Sequence, residues 1–356
     1  MKAKSLVGIA ISLILLWLFF RNQEWDKLRD SLLDVQPLWI VPGIVVYFAG
    51  IWLRGIRWRL LMLPFAKVPD SRLASVILIG FTVNNVLPLR LGELVRTFVL
   101  RRSHGVPIPA TLATILIERV LDMVALCGLM TLVYAIERDR ISGWVEYGSY
   151  FCIAVTAGGV VGLLVLLATP RRWLDALLEL ATRIAARVHH KLGEVVASCV
   201  DGVRALEDTR SLLGVVSLSI LCWVAELGIY YFMMLTVGMN TTIWALVAGM
   251  VVANLATVFP SSPGYVGTFD VLLKDLLQTT FGVAEPIAVT YTLLTHAVLL
   301  LPVVFVGFLM LSREDLSIRG LAHGRVEGRA LDAEALETPT PAVRSARSVQ
   351  PGTDAG

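Results

Sequence analysis

Between Asn84 and Asp122 an apolar stretch carries Asn84, Asn85, Arg90, Glu93, Arg96, Glu118, Arg119 and Asp122. A charge near a bilayer centre costs about 2.5–3.5 kcal/mol on insertion scales, so such groups persist where they face a bundle interior or a wet cavity. Arg90, Glu93 and Arg96 recur every third residue and would share one ridge of a helix. Two guanidiniums against one carboxylate leave a net positive site, and the planar fork of arginine matches phosphate oxygens. The alternative is that Arg90 and Arg96 are anchors reaching the headgroup layer. Glu118 and Asp122, four apart, lie on one face of the next helix with Arg119 one step round. They would pair with Arg90 and Arg96, either as exchangeable substrate contacts or as a fixed ion-pair network.

A second cluster is FPSSPGYVGTFD, Phe259 to Asp270. Unwound at membrane depth, it would offer backbone amides and the Ser261 and Ser262 hydroxyls to a phosphate, with Gly264 and Gly267 allowing close approach and Asp270 as acidic counterpart of Glu93. The alternative is a tight turn capping a helix. Glu226 lies inside an apolar run and must face the interior. His296 could relay protons or bond a neighbouring carbonyl. Glu93, Glu118, Glu226 and His296 are the candidate proton carriers. GxxxxGK[ST] is absent, and the nearest acidic pair, ERDR at 137–140, reads as a solvated loop. No catalytic group, metal ligand or cofactor is expected. Cys127, Cys152, Cys199 and Cys222 are too widely spaced for a CxxC pair and are expected as free thiols.

These residues need helices to hold them. At 356 residues and 56% hydrophobic, the chain is too apolar for a soluble domain and reads as an all-α polytopic membrane protein. A formal charge of +3 implies no nucleic acid. Full spans are expected near residues 5–20, 38–53, 110–136, 150–169, 212–237 and 286–311. The first has a basic start but no small-x-small site after it, so it reads as an uncleaved helix. Trp17, Trp25, Trp52, Trp58, Trp144 and Trp244, near helix ends, fit an interfacial aromatic belt.

Two further runs, 73–102 and 243–281, are broken by proline and glycine and are expected as re-entrant hairpins. Basic connections, Arg54 to Arg72 among them, place the first hairpin's ends in the cytoplasm. The uncharged connection 238–242 places the second hairpin's ends outside. The halves, 1–145 and 146–311, then form an inverted-topology repeat, with both termini cytoplasmic. Asn84, Asn85, Pro88, Gly92 and Glu93 echo Asn254, Pro260, Gly267 and Asp270. An amphipathic cytoplasmic insert is expected at 170–211, lying at the headgroup layer or packed on protein, and a disordered tail at 312–356.

At NNVLPLRLGELVR, IERVLD and FPSSPGYVGTFD the sequence resembles the flippase-like membrane domain family, which includes the transmembrane portion of lysylphosphatidylglycerol synthases. The resemblance spans roughly residues 5–311. The family's Pro, Gly-Glu, Arg pattern falls on Pro88, Gly92, Glu93 and Arg96; its Glu-Arg and Asp on Glu118, Arg119 and Asp122; its Pro-Gly-Gly on Pro263, Gly264 and Gly267. Asp270 stands where relatives often carry Glu, and no aminoacyltransferase domain is expected after the membrane region, so lysine transfer is not expected of this chain alone. The resemblance implies translocation of an anionic or glycosylated lipid between leaflets of a bacterial or archaeal cytoplasmic membrane. The partner is then a lipid with an anionic headgroup, with a second copy or envelope-biosynthesis enzymes as further partners. Other readings are a membrane-embedded transferase acting on a lipid-linked substrate and a non-catalytic envelope-assembly subunit.

Overall fold

The computed structural model describes residue 19 and residues 25–87, 91–168, 171–205, 209–258 and 263–313. Within them the chain forms twelve α-helices and no strand: α1 (Trp25–Leu33), α2 (Ile40–Met62), α3 (Asp70–Val86), α4 (Gly92–His104), α5 (Ile108–Ile136), α6 (Gly143–Ala168), α7 (Arg171–Val188), α8 (His190–Ala205), α9 (Thr209–Thr236), α10 (Ile243–Ala256), α11 (Thr268–Asp275) and α12 (Glu285–Arg313). Short 3-10 turns at Pro37–Trp39 and Pro263–Tyr265 precede α2 and α11, and a π-helical turn, Leu276–Thr280, follows α11.

Among the described residues, three helical segments are long and apolar enough to cross a membrane: Pro37–Met62, Arg210–Thr236 and Glu285–Arg313. Their outward faces expose Val45 and Trp52 of α2, Ile220 and Val224 of α9, and Leu301 and Phe305 of α12. Apolar surface of this extent suits hydrocarbon rather than water. The spans expected at 38–53, 110–136, 150–169, 212–237 and 286–311 correspond to α2, α5, α6, α9 and α12. The span expected at 5–20 and the tail from residue 314 lie outside the described residues.

One correction concerns α2, which continues to Met62. Arg54 and Arg57, read from the sequence as loop cations, sit inside this helix, 7% and 0% exposed. The helix can hold them because it packs along α9 and against α5, whose carboxylates meet the guanidiniums. Trp58 is corrected likewise: it is fully buried rather than part of an aromatic belt. Trp25, Trp52 and Trp144 are exposed as a belt requires.

The run 73–102 is broken into α3 and α4, of 17 and 13 residues. At about 1.5 Å per residue they are roughly 25 and 20 Å long, short of a hydrocarbon core of about 30 Å. They cross at two glycines. A Cβ on Gly92 would strike the Gly80 carbonyl, and one on Gly80 would lie 2.8 Å from the Arg96 side chain. The Gly92 amide, one of the donors a helix start leaves unpaired, donates to Asn84 Oδ1 at 2.7 Å. The run 243–281 is likewise broken. Between α10 and α11 the backbone turns through left-handed conformations at Gly264 (φ 72°), Tyr265 (φ 59°) and Gly267 (φ 93°). Asn84 and Asn254 each stand two positions before their helix ends, at Val86 and Ala256.

Helices α7 and α8 occupy the expected amphipathic insert and pack on each other. Helix α8 packs on α5, where a Cβ on Gly202 would lie 2.7 Å from Ile117. Helix α7 leaves Leu180, Ile184 and Val188 exposed.

Candidate functional site

Helices α2, α3, α4, α5, α9, α10, α11 and α12 line an open-mouthed cavity of about 210 Å³. Asn84 and Asn85 line it from α3, Glu93 from α4, and Glu118, Arg119 and Asp122 from α5. Helices α2 and α9 contribute Tyr47, Arg54, Trp223, Glu226 and Tyr230. Asn254, the turn residues Gly264 and Tyr265, and His296 of α12 complete it.

Glu118 and Asp122 of the cavity wall belong to an ion network that continues behind it to Arg57 and Arg96. Arg57 donates through Nη1 to Asp122 Oδ1 (2.7 Å) and Ser219 Oγ (3.1 Å), and through Nη2 to Glu118 Oε1 (3.0 Å) and Asp122 Oδ2 (3.2 Å). The other oxygen of Glu118 accepts from Arg96 Nη2 at 2.9 Å. Arg96 stacks 4.0 Å above the Trp58 ring, whose indole N–H donates to Thr114 Oγ1 at 3.0 Å. These groups are nearly sealed from solvent, so the charges must satisfy one another; a bidentate guanidinium geometry does this best.

Two other pairs differ in character. Arg54 bonds Glu226 Oε2, and Asn254 Nδ2 donates to Glu226 Oε1 at 2.6 Å, which occupies both carboxylate oxygens. The second, Arg119 Nε to Glu93 Oε1, spans 3.0 Å with side chains 38% and 29% exposed. It is the most open ion pair of the cavity.

At the broken turn, His296 Nδ1 lies 2.7 Å from Asp270 Oδ1, and Nε2 lies 2.8 Å from the Gly264 carbonyl. Both ring nitrogens face acceptors, while Asp270 Oδ2 accepts from the Gly267 amide at 2.8 Å. Each ring nitrogen thus sits within hydrogen-bond distance of an oxygen, which fixes the ring between α11 and the broken turn. Asp270 also sits in the first turn of α11, where a carboxylate favours the helix N-terminus.

Of the residues singled out from the sequence, Asn84, Asn85, Glu93, Glu118, Arg119, Asp122, Glu226, Gly264 and His296 converge on one cavity. Gly267 and Asp270 stand behind His296. Arg96 is placed behind the cavity wall, 1% exposed. Arg90, Ser261 and Ser262 lie outside the described residues. Two expectations are corrected. Asp122 pairs with Arg57 rather than Arg96, and Glu93 pairs with Arg119; Arg96 is held by Glu118. Among the described residues, Arg54, Arg57, Arg96 and Arg119 face Glu93, Glu118, Asp122 and Glu226; Arg90, on which the expected net positive charge rests, lies outside them.

Sequence reading passed over Arg54, Arg57, Trp223 and Tyr230. Trp223, Glu226 and Tyr230 recur at helical spacing on α9, so the face of the one buried glutamate was the available signal. Trp223 Nε1 and Tyr230 Oη are buried without a hydrogen-bond partner.

A model of the lysylphosphatidylglycerol synthase TM region matches residues 5–307. Glycosyltransferase AglD of Haloferax volcanii is 24% identical over 83% of this chain, which spans only 52% of that relative's length. A UPF0104 membrane protein of Pyrococcus horikoshii is 22% identical over 89% of this chain and 99% of its own. Another, from Methanothermobacter thermautotrophicus, is 22% identical over 68% of this chain and 74% of its own.

Proposed function

Because the chain belongs to the lysylphosphatidylglycerol synthase transmembrane-region family, we propose that it is a multi-pass lipid translocator of a bacterial or archaeal cytoplasmic membrane, with the cavity as its headgroup site. The observation that carries this reading is a polar, charge-lined cavity inside a bundle whose outer faces are apolar. Lipid tails stay in the hydrocarbon while a headgroup needs a polar path past it.

Arg119 and Glu93 are the exchangeable pair. A headgroup phosphate takes the Arg119 fork, and Glu93, released, carries the compensating proton. The deeper pairs of Arg57 and Arg96 hold the helices around that site. The two broken hairpins, α3–α4 and α10–α11, supply equivalent asparagines to the cavity, Asn84 and Asn254. This equivalence supports an inverted repeat dividing near residue 145, whose halves rock about the site with both termini cytoplasmic.

Purified protein in phosphatidylcholine vesicles is expected to accelerate exchange of nitrobenzoxadiazole-labelled phosphatidate between leaflets, read by dithionite quenching. Exchange no faster than in empty vesicles contradicts the proposal. The second reading, a transferase acting on a lipid-linked substrate, draws on the name of the Haloferax relative. Turnover of a lipid donor by the purified chain would favour it.

A further inference from the structure

The α9 wall of the cavity differs chemically from the Arg119 side. Trp223, Glu226 and Tyr230, spaced three and four residues apart, form one stripe facing the cavity. Trp223 is 7% exposed and Tyr230 fully buried, yet the indole N–H and the phenol hydroxyl have no partner. Tyr230 is tied into the bundle otherwise, since its backbone carbonyl accepts from Tyr291 Oη at 3.1 Å. Its hydroxyl thus adds no bond to the empty protein, and a buried donor left unbonded is costly.

The charges on this wall are already spent. Glu226 has both oxygens occupied, and its carboxylate neutralises Arg54. A phosphate placed here would meet two neutral donors and a paired cation, which leaves a buried charge poorly compensated. A ring of hydroxyls meets the opposite situation. Its oxygens accept from the indole and phenol, and no new charge is buried.

We infer that the α9 wall is a subsite for the uncharged, polyhydroxylated part of a lipid headgroup, a sugar or cyclitol ring, held by Trp223 Nε1 and Tyr230 Oη. This rests on the reading of the cavity as a headgroup site. The phosphate of the same headgroup takes Arg119, and the ring extends toward α9.

The test titrates the full chain in detergent with phosphatidylinositol and with phosphatidate, which lacks the hydroxylated ring, and reads occupancy by native mass spectrometry. Tyr230→Phe keeps the ring shape, Trp223→Phe keeps an aromatic ring smaller than the indole, and each removes one donor. The wild-type protein is expected to prefer phosphatidylinositol by about fivefold or more. Each variant lowers that preference about threefold or more and leaves phosphatidate binding within about twofold. The melting temperature of Tyr230→Phe stays the same or rises, because its hydroxyl has no partner to lose. Equal binding of both lipids by all three proteins overturns the subsite while leaving the headgroup reading standing. Binding of neither lipid overturns both. A fall in Tyr230→Phe stability with an unchanged lipid preference assigns the hydroxyl to structure and overturns the subsite.

Discussion

Arg57 and Glu118, 61 positions apart in the chain, meet at 3.0 Å with side chains 0% and 4% exposed. That contact joins α2 to α5, and through the second oxygen of Glu118 it reaches Arg96 of α4. Three helices are therefore registered by one carboxylate. Each charge is tolerated because its neighbour is present, and the bundle around the cavity depends on the set.

Arg57→Met tests this dependence. It leaves one oxygen of Glu118 and both of Asp122 without their guanidinium, and breaking a buried pair costs about 3–5 kcal/mol. A large fall in melting temperature in detergent is expected. Adding Asp122→Asn to the same chain, with Glu118 kept to hold Arg96, recovers part of it. An Arg57→Met protein as stable as wild type would show that the network does not hold the helices.

Gly92 and Gly128 make a matched pair for close packing. Gly92→Ala pushes a methyl into the Gly80 carbonyl, so α3 and α4 must separate and folded yield collapses. A Cβ on Gly128 in α5 meets nothing within 4 Å. Gly128→Ala is expected to raise stability by up to about 1 kcal/mol, the helix-propensity difference. Thermal unfolding of the two variants, side by side, checks both directions.

Asp270 and His296 should respond unequally. In Asp270→Asn, the amide oxygen still accepts from the Gly267 amide while the amide nitrogen donates to His296 Nδ1, and the ring keeps its bond to Gly264 as a neutral imidazole. His296→Leu strips a donor from both Asp270 Oδ1 and the Gly264 carbonyl, at about 1–3 kcal/mol per buried group. Melting temperatures should therefore place Asp270→Asn near wild type and His296→Leu well below it. The reverse order would contradict the assigned hydrogen bonds.

The architecture was legible where it follows from the length and breaks of apolar runs: the helices near 110–136, 212–237 and 286–311, and the division of the two broken runs into α3 and α4 and into α10 and α11. Glu118, Asp122 and Glu226 stood out because acids in apolar runs must face inward. Arg54 and Arg57 did not stand out. They lie near the end of an apolar run, where loop cations also lie, and only the carboxylates of α5 and α9 distinguish the two cases. For the same reason Asp122 was matched with arginines near in sequence rather than with Arg57, which topology brings close. Trp58 resembled a belt residue by position, but Arg96 and Thr114 give its indole face and N–H interior partners.

The central claim is that the open Arg119–Glu93 pair exchanges for a headgroup. Arg119→Ala should be stable, because partly exposed ion pairs contribute about 0–1 kcal/mol. The most direct measurement is the rate at which folded Arg119→Ala protein moves labelled phosphatidate between leaflets of phosphatidylcholine vesicles, against wild type at equal protein density. The account predicts a rate at least about tenfold lower, the loss of one charge-assisted contact of about 1.5–3 kcal/mol, with an unchanged melting temperature. Movement of phosphatidate at the wild-type rate would contradict it.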